Sequence, residues 1–248
     1  MAFLKESAEY LWQRYGEGID KICIVLPNRR GGLYLKKYLS ACAGKTLWAP
    51  GILSIEDMIE ELLGYQIPDN FSLLFDLYAV YKEVDGSDAR PFDEFSHWGQ
   101  TVLQDFNDTD NDLADADQLY RYLNEARAMR IWNPDGRPLT DFQQRYLAFY
   151  GSLLSYYHGL RARLQGRGHA YAGMAFRHVA ENMDQIFAAT EMSYFFAGFN
   201  ALTAAQEKVI RYLLDTGRAE IFWDADEYYL DNPVMEAGNF LRNYRKEW

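Results

Sequence analysis

The stretch Ile22-Cys23-Ile24-Val25-Leu26-Pro27-Asn28-Arg29-Arg30-Gly31-Gly32 decides the fold. Its first five residues form a continuous apolar run, which reads as a strand buried on both faces. Pro27 ends the strand, because proline cannot donate to a ladder. Asn28, Arg29 and Arg30 therefore stand where a strand turns into a helix. In open α/β sheets ligands bind at that edge, outside the carboxyl ends of the strands. Two guanidiniums there suit phosphate or carboxylate recognition, for which arginine offers a rigid fork of donors. The plainer alternative is a solvated turn with two surface arginines.

Outward from this strand, residues 3–15 repeat with a helical period, and Gly16 and Gly18 stop that helix. A second helix is expected over 32–42, with Leu33, Leu35 and Leu39 toward the core and Lys36 and Lys37 facing out. Leu47-Trp48-Ala49-Pro50 reads as a short extended piece. Ser54-Ile55-Glu56-Asp57 is a capping-box pattern that opens a helix to about Leu63.

From about 70 to 188 strand signals vanish, and amphipathic helices are expected at 71–84, 92–106, 115–130, 140–165 and 173–188. Thr140 with Gln143 forms another capping box, and Gly166 and Gly168 fit helix C-terminal caps. β character then returns at 194–199. A helix capped at Thr203 runs to about Asp215, a strand covers 219–223, and a helical stretch begins near 235. Strands alternating with helices predict an α/β fold with a parallel sheet. Its first part would cover 1–69, an all-helical insertion 70–188, and its second part 189–248.

Hydrophobic content of 49% over 248 residues supports one large domain or one domain with a sizeable insertion. The net charge of −11 argues against a general polyanion binder, so any nucleic-acid contact must come from a local basic patch. Two cysteines, Cys23 and Cys42, without a CxxC motif fit a reducing cytosol. No signal-peptide core and no apolar run of about 20 residues is present, so a soluble cytoplasmic protein is expected, with no membrane partner.

Several familiar chemistries are incomplete. Ala43-Gly44-Lys45-Thr46 looks like the end of a phosphate-binding loop, but Leu39 stands where its first glycine belongs. That segment also leaves a helix, whereas a phosphate loop leaves a strand and opens a helix. Ile221-Phe222-Trp223-Asp224-Ala225-Asp226-Glu227 resembles a strand ending in Mg²⁺-holding acids, yet without a phosphate loop it has no nucleotide to serve. The series Asp105, Asp108, Asp110, Asp112, Asp115 and Asp117 invites a calcium reading. Leu113 and Leu119 fill the places where the loop needs Gly and Glu, which leaves a solvated acidic loop with Asp115 free to cap a helix. No lysine follows an acid at the spacing of a two-carboxylate nuclease, and His97, His158, His169 and His178 show no metal spacing. No catalytic residue, metal or cofactor is expected in this chain.

Val25-Leu26-Pro27-Asn28-Arg29-Arg30-Gly31-Gly32 resembles motif Ia of superfamily I helicases, a strand-end turn that touches single-stranded DNA. It is more similar still to the N-terminal region of AddB-like proteins, particularly the Bacteroidetes proteins that end in a PD-(D/E)XK nuclease domain. Three further segments share that similarity: Ala49 to Asp57, Phe196 to Thr203, and Trp223 to Tyr229. The resemblance implies a degenerate P-loop NTPase/helicase-like sheet with a large helical insertion, inactivated as a helicase. Gly198 and Phe199 fall where an active helicase carries its Mg²⁺-binding acids. It further implies a scaffold and DNA-handling role in recombinational repair, an AddA-like helicase subunit as partner, and a longer parent protein bearing the nuclease domain. Weak, salt-dependent contact with single-stranded DNA would fall to Asn28, Arg29 and Arg30, with Lys36 and Lys37 in support. A protein-interaction scaffold without DNA contact, and a residual NTPase using Asp224, Asp226 and Glu227, are the alternatives.

Overall fold

The computed structural model describes residues 2–46, 48–130, 140–188, 190 and 192–248. The chain is α/β. Four strands, β1 (Ile22–Leu26), β2 (Gly51–Ser54), β3 (Ser193–Phe199) and β4 (Ala219–Trp223), form one all-parallel sheet in the order β2-β1-β3-β4. Every residue of β1 is buried. Helices α1 (Ala2–Tyr15) and α2 (Arg29–Ala43) cover one face, where Ala8, Leu11, Leu35 and Leu39 pack with Ile24, Leu26, Phe195 and Ala197. On the other face Cys23 and Tyr194 line a cavity together with Met58 and Leu62 of α3 (Ile55–Leu63) and Ile186 of α9 (Met183–Ala188). A strand covered on both sides needs apolar residues without alternation, which is why β1 was legible as a run.

Two compact units divide the chain: Met1–Leu63 with Val179–Trp248, and Gly64–His178. The first unit holds the sheet. Its capping boxes are formed as expected: the Ser54 hydroxyl accepts from the Asp57 amide at 3.1 Å, and Thr203 pairs reciprocally with Gln206 at the start of α10 (Ala204–Asp215). α2 begins at Arg29, three residues earlier than expected, because Asn28 caps it. Leu33 is 70% exposed, against the expectation that it faces the core. It lies about 200° around the helix from Leu35, which with Leu39 makes the buried stripe. The paired strand β2 lies at 51–54, just after the extended piece expected at 47–50, whose Leu47 is outside the described residues. After β4 the short helix α11 (Glu227–Asp231) appears where none was expected, and α12 (Asn239–Glu247) follows.

The second unit contains α4 (Asn70–Asp85), α5 (Phe92–Asn111), α6 (Ala116–Arg130), α7 (Asp141–Gln165) and most of α8 (Ala172–Glu181). Leu77, Phe95, Phe106, Leu160 and Leu164 are fully buried in its core. The single helix expected over 173–188 is broken at Asn182 into α8 and α9. The Gln143 half of the expected capping box at Thr140 lies outside the described side chains.

The acidic series is not a solvated loop. α5 runs through Asp105, Asp108 and Asp110 to Asn111, and Asp110 is wholly buried. Its carboxylate meets Arg161 Nη1 at 2.7 Å and Arg177 Nε at 2.6 Å, and accepts from the hydroxyls of Tyr157 and Tyr171. Burial, followed by the neighbouring carboxylate, pushes both phenols' pKa upward and keeps them donors. Asp115 does cap α6, accepting from the Gln118 amide at 3.0 Å. Among the described residues no helix is long and apolar enough to cross a membrane.

Candidate nucleic-acid interface

The chain leaves β1, builds β2 on one side of it, and later returns to build β3 on the other. Strand order therefore reverses between β1 and β3, and the crevice outside their carboxyl ends is where such sheets bind ligands. Pro27-Asn28-Arg29 follows β1 there, and Asn200-Ala201 follows β3; all five are exposed.

Asn28 holds an extended backbone (φ −156°, ψ 158°), and its side-chain oxygen accepts from the Gly31 amide at 3.0 Å. Such a cap contributes about 1 kcal/mol to the helix it starts. It also fixes the direction in which the next two side chains leave the turn. Arg29 and Arg30 then occupy the first turn of α2, where unpaired backbone amides already favour anions.

Arg29 is held by Asp57. Its Nε donates to both carboxylate oxygens at 3.1 and 3.0 Å, and Nη2 donates to Oδ1 at 2.5 Å. Asp57 is itself fixed, accepting from the Ser54 amide at 3.2 Å. The guanidinium side chain is still 79% exposed. One edge of the fork is thus anchored across the ends of β1 and β2, while the rest faces solvent.

Arg29 holds the Asp57 carboxyl down to about 2, with the Ser54 hydroxyl and amide assisting against the opposing effect of burial. A depressed acid pKa means that the tie is complete above the ordinary carboxylate range and is lost as pH falls from about 4 toward about 2. With Arg29 so exposed, the tie adds little to stability, and its consequence is orientation. In an NMR carboxyl titration Asp57 should titrate near 2, and Arg29→Ala should raise that midpoint toward 3.8.

The lysines divide. At 100° per residue Lys37 lies within about 20° of Arg30 around α2, with Leu33 and Tyr34 between them on the exposed face. By the same step Lys36 lies within about 20° of Arg29, and it also lines a 550 Å³ cavity with Trp12, Leu39, Lys45 and Pro50. Asn28, Arg29 and Arg30 stand together at the start of α2, with Lys36 in line with Arg29 and Lys37 in line with Arg30 two turns further along. Sequence reasoning missed Asp57 as the partner of Arg29. The available signal was that Asp57 opens the helix after β2, at the same sheet edge as Arg29.

The other motifs fall elsewhere. Gly44, with φ 62°, is the left-handed C-cap of α2, so Gly44-Lys45-Thr46 does leave a helix as its sequence position implied. Gly198 sits at a bulge in β3 with φ 77°, a conformation that side-chain-bearing residues rarely adopt. Asp224, Asp226 and Glu227 are exposed, and Asp226 is engaged as the N-cap of α11 through the Tyr228 amide at 2.8 Å. No group of acids, histidines or cysteines able to hold a metal occurs among the described residues.

No protein-family model matches the chain, and no curated protein matches it.

Proposed function

We propose that the α/β unit is a non-catalytic, helicase-like domain that handles single-stranded DNA within a cytoplasmic AddB-type helicase–nuclease subunit. One observation carries this reading. A capped helix start bearing Asn28, Arg29 and Arg30 stands at the point where strand order reverses, with one guanidinium pre-oriented by Asp57. A fork held on one edge can offer its remaining donors to a phosphate oxygen at little ordering cost. Tyr34, one turn along α2 and 38% exposed, supplies a ring on which a base can stack. The degenerate P-loop-like ancestry, the recombinational-repair context and the AddA-like partner rest on the motif resemblance alone.

The net charge of −11 sets a repulsive background, so binding is weak and steeply salt-dependent. In fluorescence-anisotropy titrations of labelled single-stranded DNA, Arg29→Ala/Arg30→Ala should weaken binding. It should also flatten the log–log salt slope by roughly 0.7 for each phosphate contact removed. Tight binding at physiological salt that survives the double substitution contradicts the assignment.

One observation favours a protein-interaction scaffold instead. Phe71 and Phe75 on α4 are 69% and 56% exposed, and Phe75 stacks on Phe92 at 4.6 Å. That reading gains if no DNA binding is found even at low salt.

A further inference from the structure

The helical unit contains a cavity of about 750 Å³ walled by Tyr81, Trp98 and Phe149, with Asp85, Asp88 and Arg90 among its polar lining residues. Tyr81 is buried, and the partly exposed rings are those of Trp98 and Phe149. Trp98 stands nearly perpendicular to Tyr81 (centroids 5.2 Å apart, 85°) and to Phe149 (5.0 Å, 84°). Each ring comes from a different helix, α4, α5 and α7 respectively, so packing of the helices themselves fixes their arrangement.

Two carboxylates line the same space. Asp85, at the end of α4, is steadied by the Tyr156 hydroxyl, which donates to it at 2.5 Å. Asp88 lies on the exposed turn Gly86–Asp88. That turn is anchored on its far side, where the Arg90 amide donates to the Tyr81 hydroxyl at 2.8 Å and the Tyr78 hydroxyl donates to the Arg90 carbonyl at 3.3 Å. The Arg90 side chain is exposed. The charges lining the cavity are therefore two negative and one positive.

We propose that this cavity binds an organic cation bearing an alkylammonium head. The exposed parts of the Trp98 and Phe149 rings attract a cation through their quadrupoles and accept its methyl or methylene groups as apolar surface. Carboxylates on the same cavity add a charge that an uncharged ligand of equal shape cannot use. The negative balance of the lining disfavours phosphates and carboxylates, so this site differs in chemistry from the one at the sheet edge. The head group can come from a free small cation or from a lysine side chain, and the two sources share the recognition described.

Calorimetric titration of the full chain tests this with choline, with N-acetyl-lysine methylamide, and with 3,3-dimethyl-1-butanol, the uncharged isostere of choline. Saturable binding of either cation, at least tenfold tighter than that of the isostere, is the expected result, and the stronger of the two identifies the source. Asp85→Asn/Asp88→Asn keeps the shape and the acceptor for Tyr156, and should weaken cation binding about tenfold or more while leaving the isostere unchanged. Arg90→Gln removes the like charge and should tighten cation binding. Circular dichroism of each variant confirms that the helices are retained. Equal binding of choline and its isostere, no binding of either cation, or indifference to both sets of substitutions overturns the proposal.

Discussion

Asp110→Ala is expected to destabilise the helical unit by about 3–5 kcal/mol. The carboxylate is fully buried and faces two guanidiniums whose side chains are only 21% and 12% exposed, Arg161 and Arg177. Removing it leaves two cations in a desolvated space with no counter-charge, and leaves Tyr157 and Tyr171 without their acceptor. Arg177 also donates to the backbone carbonyls of Thr109 and Ala114, at 3.0 and 2.5 Å. The cluster therefore ties the end of α5 to both α7 and α8. Hydrogen exchange should show loss of protection along these three helices, together with a lower urea midpoint. Asp110→Asn, which keeps an acceptor but not the charge, should fall between wild type and Asp110→Ala. If Asp110→Ala unfolds at the wild-type midpoint, the cluster is not what holds these helices together.

Gly173→Ala should cost about 1–3 kcal/mol, the usual effect of an added methyl in a packed interior. A Cβ at this position would overlap the backbone carbonyl oxygen of Asn107, which no rotamer change can relieve. α8 would have to move away from α5, and the Gly173 amide would lose its 2.8 Å bond to the Asn107 side chain. Asn107→Ala separates the two contributions, because it removes that hydrogen bond while leaving the close approach possible. It should cost about 1 kcal/mol. Thermal unfolding of both variants measures the difference. An Asn107→Ala variant less stable than Gly173→Ala would place the importance of this contact in the hydrogen bond and not in the packing.

Much of the sheet was legible because its strands carry their burial locally. β1 and β4 fall where the apolar runs place them, β3 within one residue of it, and the caps at Ser54 and Thr203 form from residues three apart. The failures share a cause. Hydrophobicity alone places Leu33 toward the core, whereas its angle around α2 turns it to solvent. Asp110 was assigned by charge without regard to its angle around α5, where it continues the buried face of Leu103 and Phe106 at three- and four-residue steps. Its arginine partners lie 51 and 67 residues further on, a separation that no local pattern reports. The same holds at the sheet edge. Arg29 and Arg30 are visible in the sequence, but the ion pair with Asp57 that orients one of them depends on β2 lying beside β1.

The most direct test of the sheet-edge assignment is a hydrogen-exchange footprint of the full chain with a single-stranded oligonucleotide at low salt. The predicted result is slowed exchange in the segment from Asn28 to Tyr34, at the start of α2, which disappears in Arg29→Ala/Arg30→Ala. Bound DNA with that segment unprotected, or with protection confined to the helices between 70 and 165, would contradict the assignment and move the contact off the sheet edge.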